Sequence, residues 1–327
     1  WCLIFMITYT KLDTLELKRP TACGLGNFDG VHLGHQKLIK EMVRQARLKH
    51  IDSSIITFEP HPSKVLNPEK ADPLILTSRQ KEKLIKAFGV HNLILAPFTQ
   101  EFSKMHYKDF IEDILIKKCK AIVVVVGSDY RFGYKGEGNS ELLKELCQKR
   151  GMETIIIPPV THKGLIVSST LIRSMIKAGD VKSAGEFMGH LFSIEGKVVH
   201  GNSIGSTLGF PTANIAFSEE IVLPDYGVYA VLVKYGDRRY EAIANIGRRP
   251  TFNGSDVTLE VHIFDFNKQL YGEFIEVFFV DRIRKEIKFN SPLELKKQIK
   301  SDSEEAKETL KRFKYDFTFT GCYDKIN

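Results

Sequence analysis

The residues best suited to chemistry in the first half of the chain are His32 and His35, set in the run Gly26-Asn27-Phe28-Asp29-Gly30-Val31-His32-Leu33-Gly34-His35. This run follows an apolar strand pattern, Thr21 to Leu25, and leads into a helical one, His35 to Lys49. Open α/β sheets bind nucleotides at such junctions. Gly24, Gly26 and Gly30 are spaced one residue too widely for the dinucleotide fingerprint G-x-G-x-x-G. Backbone amides and the helix dipole at a helix N-terminus favour phosphate. Gly34 permits close approach, and neighbouring imidazoles can hydrogen-bond phosphate oxygens as charge builds during displacement at phosphorus. The expectation is a phosphate site formed by Gly26, Asn27, Phe28, Asp29 and Gly30 with His32, Gly34 and His35, the two histidines acting catalytically. A histidine pair can instead ligate a metal, although no cysteine or further carboxylate stands at metal-ligand spacing.

Three more segments favour phosphate transfer. Phe58-Glu59-Pro60-His61-Pro62 ends a strand pattern with another histidine, and Gly127-Ser128-Asp129-Tyr130-Arg131-Phe132-Gly133 follows a central strand pattern, at the same carboxyl edge of the sheet. Ser168, Ser169 and Thr170 with Arg173 put hydroxyls and a guanidinium at a further helix start, suited to clamping a leaving pyrophosphate. Singly, each reads equally well as loop chemistry or capping.

In the second half, Leu208-Gly209-Phe210-Pro211-Thr212-Ala213-Asn214 stands behind the glycine-rich Gly201 to Gly205. The run from Gly201 to Thr207 is one residue short of a P-loop and lacks its lysine, which excludes a Walker A site. Thr212 and Asn214 point the same way if the chain is extended, offering a hydroxyl and an amide oxygen to a hard cation such as Mg²⁺. A turn held by the Thr and Asn side chains is the alternative. In Val257 to Ile263, period two puts Leu259, Val261 and Ile263 on one face and Thr258, Glu260 and His262 on the other. Such a polar face is most often simply solvated.

Up to about residue 190, strand patterns alternate with helical ones, as a Rossmann-like parallel sheet covered by helices requires. The strands are Thr21 to Leu25, Ser53 to Phe58, Asn92 to Ala96, Ala121 to Gly127 and Thr154 to Ile157. The helices are His35 to Lys49, Arg79 to Phe88, Tyr107 to Lys117 and Ser140 to Lys149, with one more from Ser168 to Gly179. From Leu191 the pattern turns to short alternating strands with Gly, Asp and Asn turns, the composition of a small antiparallel barrel. Its strands are Phe192 to His200, Val228 to Tyr235, Arg239 to Ile246, Val257 to Phe266 and Phe274 to Val280. Ser291-Pro292-Leu293-Glu294 announces a terminal helix through a capping box. The domain boundary is expected between Gly185 and Leu191.

With 327 residues, two domains are the first expectation, and 43% hydrophobic with 27% charged residues disfavours disorder, collagen-like repeats and coiled coil. A net charge of +7 favours phosphorylated ligands mildly, but no basic stripe with interleaved aromatics appears, so no nucleic-acid partner is expected. Five scattered cysteines without a C-x-x-C pair point to a reduced, cytoplasmic setting. The apolar Trp1 to Ile7 is too short for a secretory core or a membrane span, and a natural start at Met6 is one expectation.

GNFDGVHLGH, FEPHP, GSDYRFG and VSSTLIR, in this order, resemble the adenylyltransferase module of bacterial bifunctional riboflavin kinase/FAD synthetases. PTAN, GVYA, ANIG-x-x-PTF and LEVHIFDF are similar to the riboflavin kinase module of the same enzymes. The resemblance implies an FMN adenylyltransferase domain over 1–188 and a riboflavin kinase domain over 189–327. It implies ATP binding by His32, His35, Ser168, Ser169, Thr170 and Arg173, and a flavin or ATP site lined by His61, Asp129 and Phe132. In the barrel it implies an ATP site at Gly205, Gly209, Pro211, Thr212 and Asn214, with Mg²⁺ on Thr212 and Asn214 and Glu260 as general base. Gly136 and Ser206 depart from the family, standing where relatives commonly carry a basic residue. Riboflavin, FMN, FAD and ATP would be the ligands, with no tightly bound prosthetic group and no membrane partner. Two rivals stand beside this reading: another H-x-G-H nucleotidyltransferase with an unrelated barrel, and a non-catalytic flavin or nucleotide sensor.

Overall fold

A computed structural model describes residues 5–200, 209–251 and 254–316. Contacts divide these into two compact units, the first ending at Ser168 and the second running from Ser169 with the short insert Pro73–Leu76.

In the first unit, β1 (Ile7–Tyr9), β2 (Thr21–Leu25), β3 (Asp52–Glu59), β4 (Asn92–Pro97) and β5 (Ala121–Gly127) are followed by a ribbon of β6 (Arg131–Phe132) and β7 (Gly138–Asn139). Then come β8 (Glu153–Ile157) and a second ribbon, β9 (Thr161–His162) with β10 (Leu165–Ile166). The main sheet has the order β1-β4-β3-β2-β5-β8, with every neighbouring pair parallel. All five residues of β2 are buried, as a central strand covered on both faces requires. The helices are α1 (Leu33–Leu48), α2 (Pro62–Leu66), α3 (Ser78–Ala87), α4 (Tyr107–Asp109) and α5 (Ser140–Gln148). Asn139 caps α5 by accepting from the Leu142 amide at 2.8 Å. Gly24 lets α1 come close to β2, since a Cβ there would stand 3.0 Å from Leu38 Cδ2 and from Met42 Sδ.

The second unit opens with α6 (Ser169–Lys177) and α7 (Val181–Met188), which ends at Gly189 with φ 73°. A closed antiparallel barrel follows, ordered β11-β12-β15-β14-β13-β16. Its strands are β11 (Ser193–Val199), β12 (Ala213–Phe217), β13 (Gly227–Tyr235), β14 (Arg238–Thr251), β15 (Gly254–Ile263) and β16 (Phe274–Lys285). Tyr229, Val231, Ala242, Ala244, Ile246, Leu259 and Val261, all buried, fill the interior through strand alternation. Val228, Ala230, Ile243 and Val280 instead pack with Ala306 and Leu310 of α8 (Pro292–Asp316). Arg284 of β16 fastens this helix through a forked pair with Asp302 at 2.8–3.0 Å.

The parallel sheet, the barrel and the terminal helix are the architecture expected from the sequence. Several elements differ. Phe110–Lys118, expected as ordinary α-helix, is π-helical. β1, β12 and α7 were not foreseen. The contact division at Ser168 precedes the expected boundary at 188, because α7 packs on β16 and Arg282 of β16 donates to the Ala178 carbonyl at 3.3 Å.

Candidate active sites

From β2 the chain runs outward through β3 and β4 on one side, and then β5 adds on the other. The loops after β2 and β5 therefore flank the point where strand order reverses, the crevice in which such sheets bind ligands. The loop after β2 holds a demanding conformation: Phe28, Gly30 and Val31 have φ of 51°, 82° and 37°. Positive φ at β-branched Val31 is an outlier costing on the order of 1–3 kcal/mol. Phe28 anchors the loop with a fully buried ring, and its carbonyl accepts from the Val31 amide at 3.2 Å.

This turn delivers His32 to the N-cap of α1, where its Nδ1 accepts from the His35 amide at 3.3 Å. The two rings stack with centroids 3.6 Å apart and planes at 15°. Gly34 leaves the necessary room, because a Cβ there would stand 3.1 Å from His32 Cε1. Burial foremost, then the charges of His32 and Lys81, hold the His35 imidazole well below the ordinary histidine range. At neutral pH His35 is thus uncharged. Its Nδ1 is closed off from solvent and has no hydrogen-bond partner among the described residues.

Lys81, which the motif reading missed, belongs to the same place. It is buried on α3, with Nζ 3.5 Å from the Asn27 carbonyl and 3.4 Å from Thr57 Oγ1. Thr57 donates to that same carbonyl at 3.0 Å. Burial lowers the Lys81 ammonium from its usual range, against the opposing pull of Glu59 and Asp29. The sequence held a signal: Lys81, Leu84, Ile85 and Phe88 follow i, i+3, i+4, i+7, which puts a lysine on the buried stripe.

The other expected residues behave differently from one another. His61 caps α2, with Nδ1 2.8 Å from Ser63 Oγ. Asp129 is exposed and folds back over Gly127, where a Cβ would stand 2.7 Å from Oδ1. Phe132 packs into an aromatic cluster with Tyr107, Phe110 and Tyr130 and is only 6% exposed. Ser168 closes the first unit, whereas Ser169, Thr170 and the buried Arg173 start α6 in the second.

In the barrel, Glu260 of β15 lies opposite Asn214 of β12 on one side and Asn245 of β14 on the other. Residues directly opposite share a face, so Asn214, Glu260 and Asn245 make a polar row on the outer surface. Asn214 is buried, and the other two are half-buried. His262, two residues along the same face, donates from Nδ1 to the Pro211 carbonyl at 2.8 Å, and Phe210 meets its ring edge-on at 5.6 Å. The Pro211-Thr212 segment is thereby pinned beside Glu260. Gly209 turns just before it with φ 89°. Gly205 lies outside the described residues. Asn245 lies in the ANIG-x-x-PTF segment but received no role from the sequence, because it sits inside an ordinary strand pattern.

A family model described as FAD synthetase matches residues 14–171, and one described as riboflavin kinase matches residues 188–310. The bifunctional riboflavin kinase/FMN adenylyltransferase of Buchnera aphidicola (pea-aphid subspecies, Acyrthosiphon pisum) is 38% identical, the match covering 88% of this chain and 92% of the relative. The chain belongs to the bifunctional riboflavin kinase/FMN adenylyltransferase family. Relatives of the same name in Escherichia coli and Bacillus subtilis are each 35% identical, over 87% and 92% of this chain and 91% and 96% of theirs. A solved structure titled macrolide-efflux protein, from Streptococcus pneumoniae, superposes with a TM-score of 0.86 at 36% identity, covering 93% of this chain and 99% of that one. In this chain the stretch matched by the FAD synthetase model holds the stacked histidines and Lys81, and the stretch matched by the riboflavin kinase model holds Asn214, Asn245 and Glu260.

Proposed function

We propose that the stacked histidines serve adenylyl transfer and that the Glu260 row serves phosphorylation of riboflavin. The observation that supports this assignment is that each unit holds groups suited to phosphate transfer: an imidazole pair at a helix N-terminus in one, a carboxylate flanked by amide side chains in the other.

In the barrel, Glu260 takes the proton of the riboflavin 5′-hydroxyl as its oxygen attacks the γ-phosphorus of ATP, and ADP leaves. Positioned proton acceptance of this kind contributes on the order of 10² to 10⁴ in rate. The hydroxyl of Thr212 and the amide oxygen of Asn214 are hard oxygen donors of the type Mg²⁺ takes, and these residues would hold it with ATP. The ion would supply charge neutralisation at the phosphates. Gly209 and Pro211 shape the adjoining nucleotide loop, to which Gly205 is assigned by resemblance.

In the first unit, a phosphate oxygen of FMN attacks the α-phosphorus of a second ATP, and pyrophosphate leaves. His32 and His35 stabilise the charge that builds there, with Gly26, Asn27, Phe28, Asp29, Gly30 and Gly34 forming the loop. The ATP role of Ser168, Ser169, Thr170 and Arg173, and the lining role of His61, Asp129 and Phe132, rest on the family resemblance alone. A cytoplasmic location accords with free, buried Cys23, Cys119 and Cys147. Among the described residues no helix is long and apolar enough to cross a membrane.

The test is incubation with riboflavin, ATP and Mg²⁺ followed by chromatographic separation of flavins. FMN and then FAD should accumulate; failure to form either would overturn the assignment.

A further inference from the structure

Behind the phosphate loop stands a buried cation that the histidine motif does not explain. Lys81 is 8% exposed, yet among the described residues Nζ makes only two contacts with neutral oxygens, 3.5 Å to the Asn27 carbonyl and 3.4 Å to Thr57 Oγ1. Both lie at or beyond the long limit for an N–H···O bond, whose usual range is about 2.7–3.2 Å. A lysine has three donors, and a buried ammonium is normally paired with a carboxylate. Among the described residues Lys81 has no ion pair. Glu59, the nearest candidate on β3, is engaged by the Ser78 hydroxyl. Structural packing alone gives no reason to keep a charge here, since a methionine would fill the same stripe beside Leu84 and Ile85.

Lys81 touches the middle of the phosphate loop, because Asn27 lies between Gly26 and the positive-φ Phe28. We propose that Lys81 is a positioning residue for adenylyl transfer: it braces the Asn27 carbonyl and holds an ammonium with no direct ion pair behind His32 and His35, to which the ATP phosphates add countercharge. This inference rests on the assignment of adenylyl transfer to the first unit. The titratable groups facing Lys81 are Glu59 from β3, Asp29 from the loop and His35 from α1. The same proximity makes Lys81 one of the groups that keep His35 neutral. An ammonium close enough to disfavour a proton on His35 is close enough to favour negative charge beside it.

The test compares Lys81→Met and Lys81→Arg with the unaltered protein, using supplied FMN, ATP and Mg²⁺. Phosphorylation of riboflavin by the same samples reports whether the second unit is folded, and thermal denaturation reports the first. The titration of His35 is followed by NMR of ¹⁵N-labelled histidine, its signal assigned by its loss in His35→Asn. For Lys81→Met we expect unchanged riboflavin phosphorylation, at least a tenfold loss of adenylyl-transfer kcat/KM and an upward shift of the His35 midpoint. Lys81→Arg should recover most of the loss. The proposal is overturned if Lys81→Met keeps adenylyl transfer within threefold. It is equally overturned if the activity falls while Arg fails to restore it and His35 titrates unchanged. If Lys81→Met also loses riboflavin phosphorylation, Lys81→Gln, which keeps a donor for Asn27, is judged by the same outcomes. Absence of FAD formation by the unaltered protein would instead refute the site assignment itself.

Discussion

Replacing Glu260 by Gln separates proton acceptance from shape. Glu260 stands half-buried between Asn214 and Asn245, and the interior beneath it is filled by its neighbours Leu259 and Val261 rather than by Glu260 itself. Gln has the same length and keeps one oxygen for these neighbours, so the stability change should stay within about 0.5 kcal/mol, as for an outward-facing substitution. A loss of rate then measures chemistry. Removing the proton acceptor should lower riboflavin phosphorylation on the order of 10²- to 10⁴-fold, equivalent to about 2.7–5.4 kcal/mol at about 1.36 kcal/mol per decade. The loss should fall on kcat, because a group that acts only as the alcohol loses its proton adds little to ground-state binding. Conversion of supplied FMN to FAD should be unaffected and shows the protein to be intact. The assay is initial rates of both steps from one preparation, with flavins separated by chromatography. A Glu260→Gln enzyme phosphorylating riboflavin within fivefold of the unaltered rate would refute the general-base role.

His32→Ala should reverse that pattern, abolishing FAD formation from FMN while FMN formation from riboflavin persists; loss of the same step as in Glu260→Gln would contradict the two-site assignment. The variant also removes the N-cap of α1 and should cost about 1 kcal/mol in thermal denaturation. For His35 the native pKa is depressed, so its contribution is fully present above the unfolded value of about 6.5 and is lost as pH falls from there through the native pKa. Stability should fall by up to about 1.4 kcal/mol per pH unit in that window. Thermal midpoints between pH 7.5 and pH 5.5 should therefore be flatter in His35→Asn than in the unaltered chain, and equal slopes would contradict this. Asp302→Ala strands Arg284, whose side chain is 20% exposed against 3% for Asp302. A loss of about 3 kcal/mol, the low end for a buried pair, should loosen α8 and be seen as faster proteolysis within Pro292–Asp316. Unchanged protection would mean that Ala306 and Leu310 hold the helix unaided.

What was legible in the sequence followed local chemistry. β2 and β5 were bounded correctly because their apolar runs end abruptly at Gly26 and Ser128, and α8 was announced by Ser291 and Glu294. Those two do interact, the Glu294 amide donating to Ser291 Oγ at 3.3 Å, while Glu294 Oε2 accepts from the Asn290 amide at 3.1 Å. What was hidden depended on partners distant along the chain. Ala213–Phe217 becomes a strand because β11 and β15 pair with it on both sides, and five residues behind a proline show no clear period of their own. The π-helix over Phe110–Lys118 differs from an α-helix by less than one residue per turn, which its apolar pattern cannot reveal. Lys81 belongs to no motif, and Asn245, though inside ANIG-x-x-PTF, shows its place beside Glu260 only through strand register; a buried lysine is evident only once α3 is seated against the loop after β2.

Both constellations are set by groups that do no chemistry. The positive φ at Val31 would relax in a free loop, and it is maintained here by the buried Phe28 ring and by α1 held close to Gly24. Glu260 owes its place to Leu259 and Val261 in the interior and to the strands on either side. Hydrogen-bond donors and charges fixed in this way need no rearrangement when negative charge develops, and that is the condition under which they lower a barrier most. The histidine motif thus depends on its setting: His32 and His35 stack because Gly34 leaves room and the strained turn aims them, and the protonation of His35 answers to Lys81, far away in sequence.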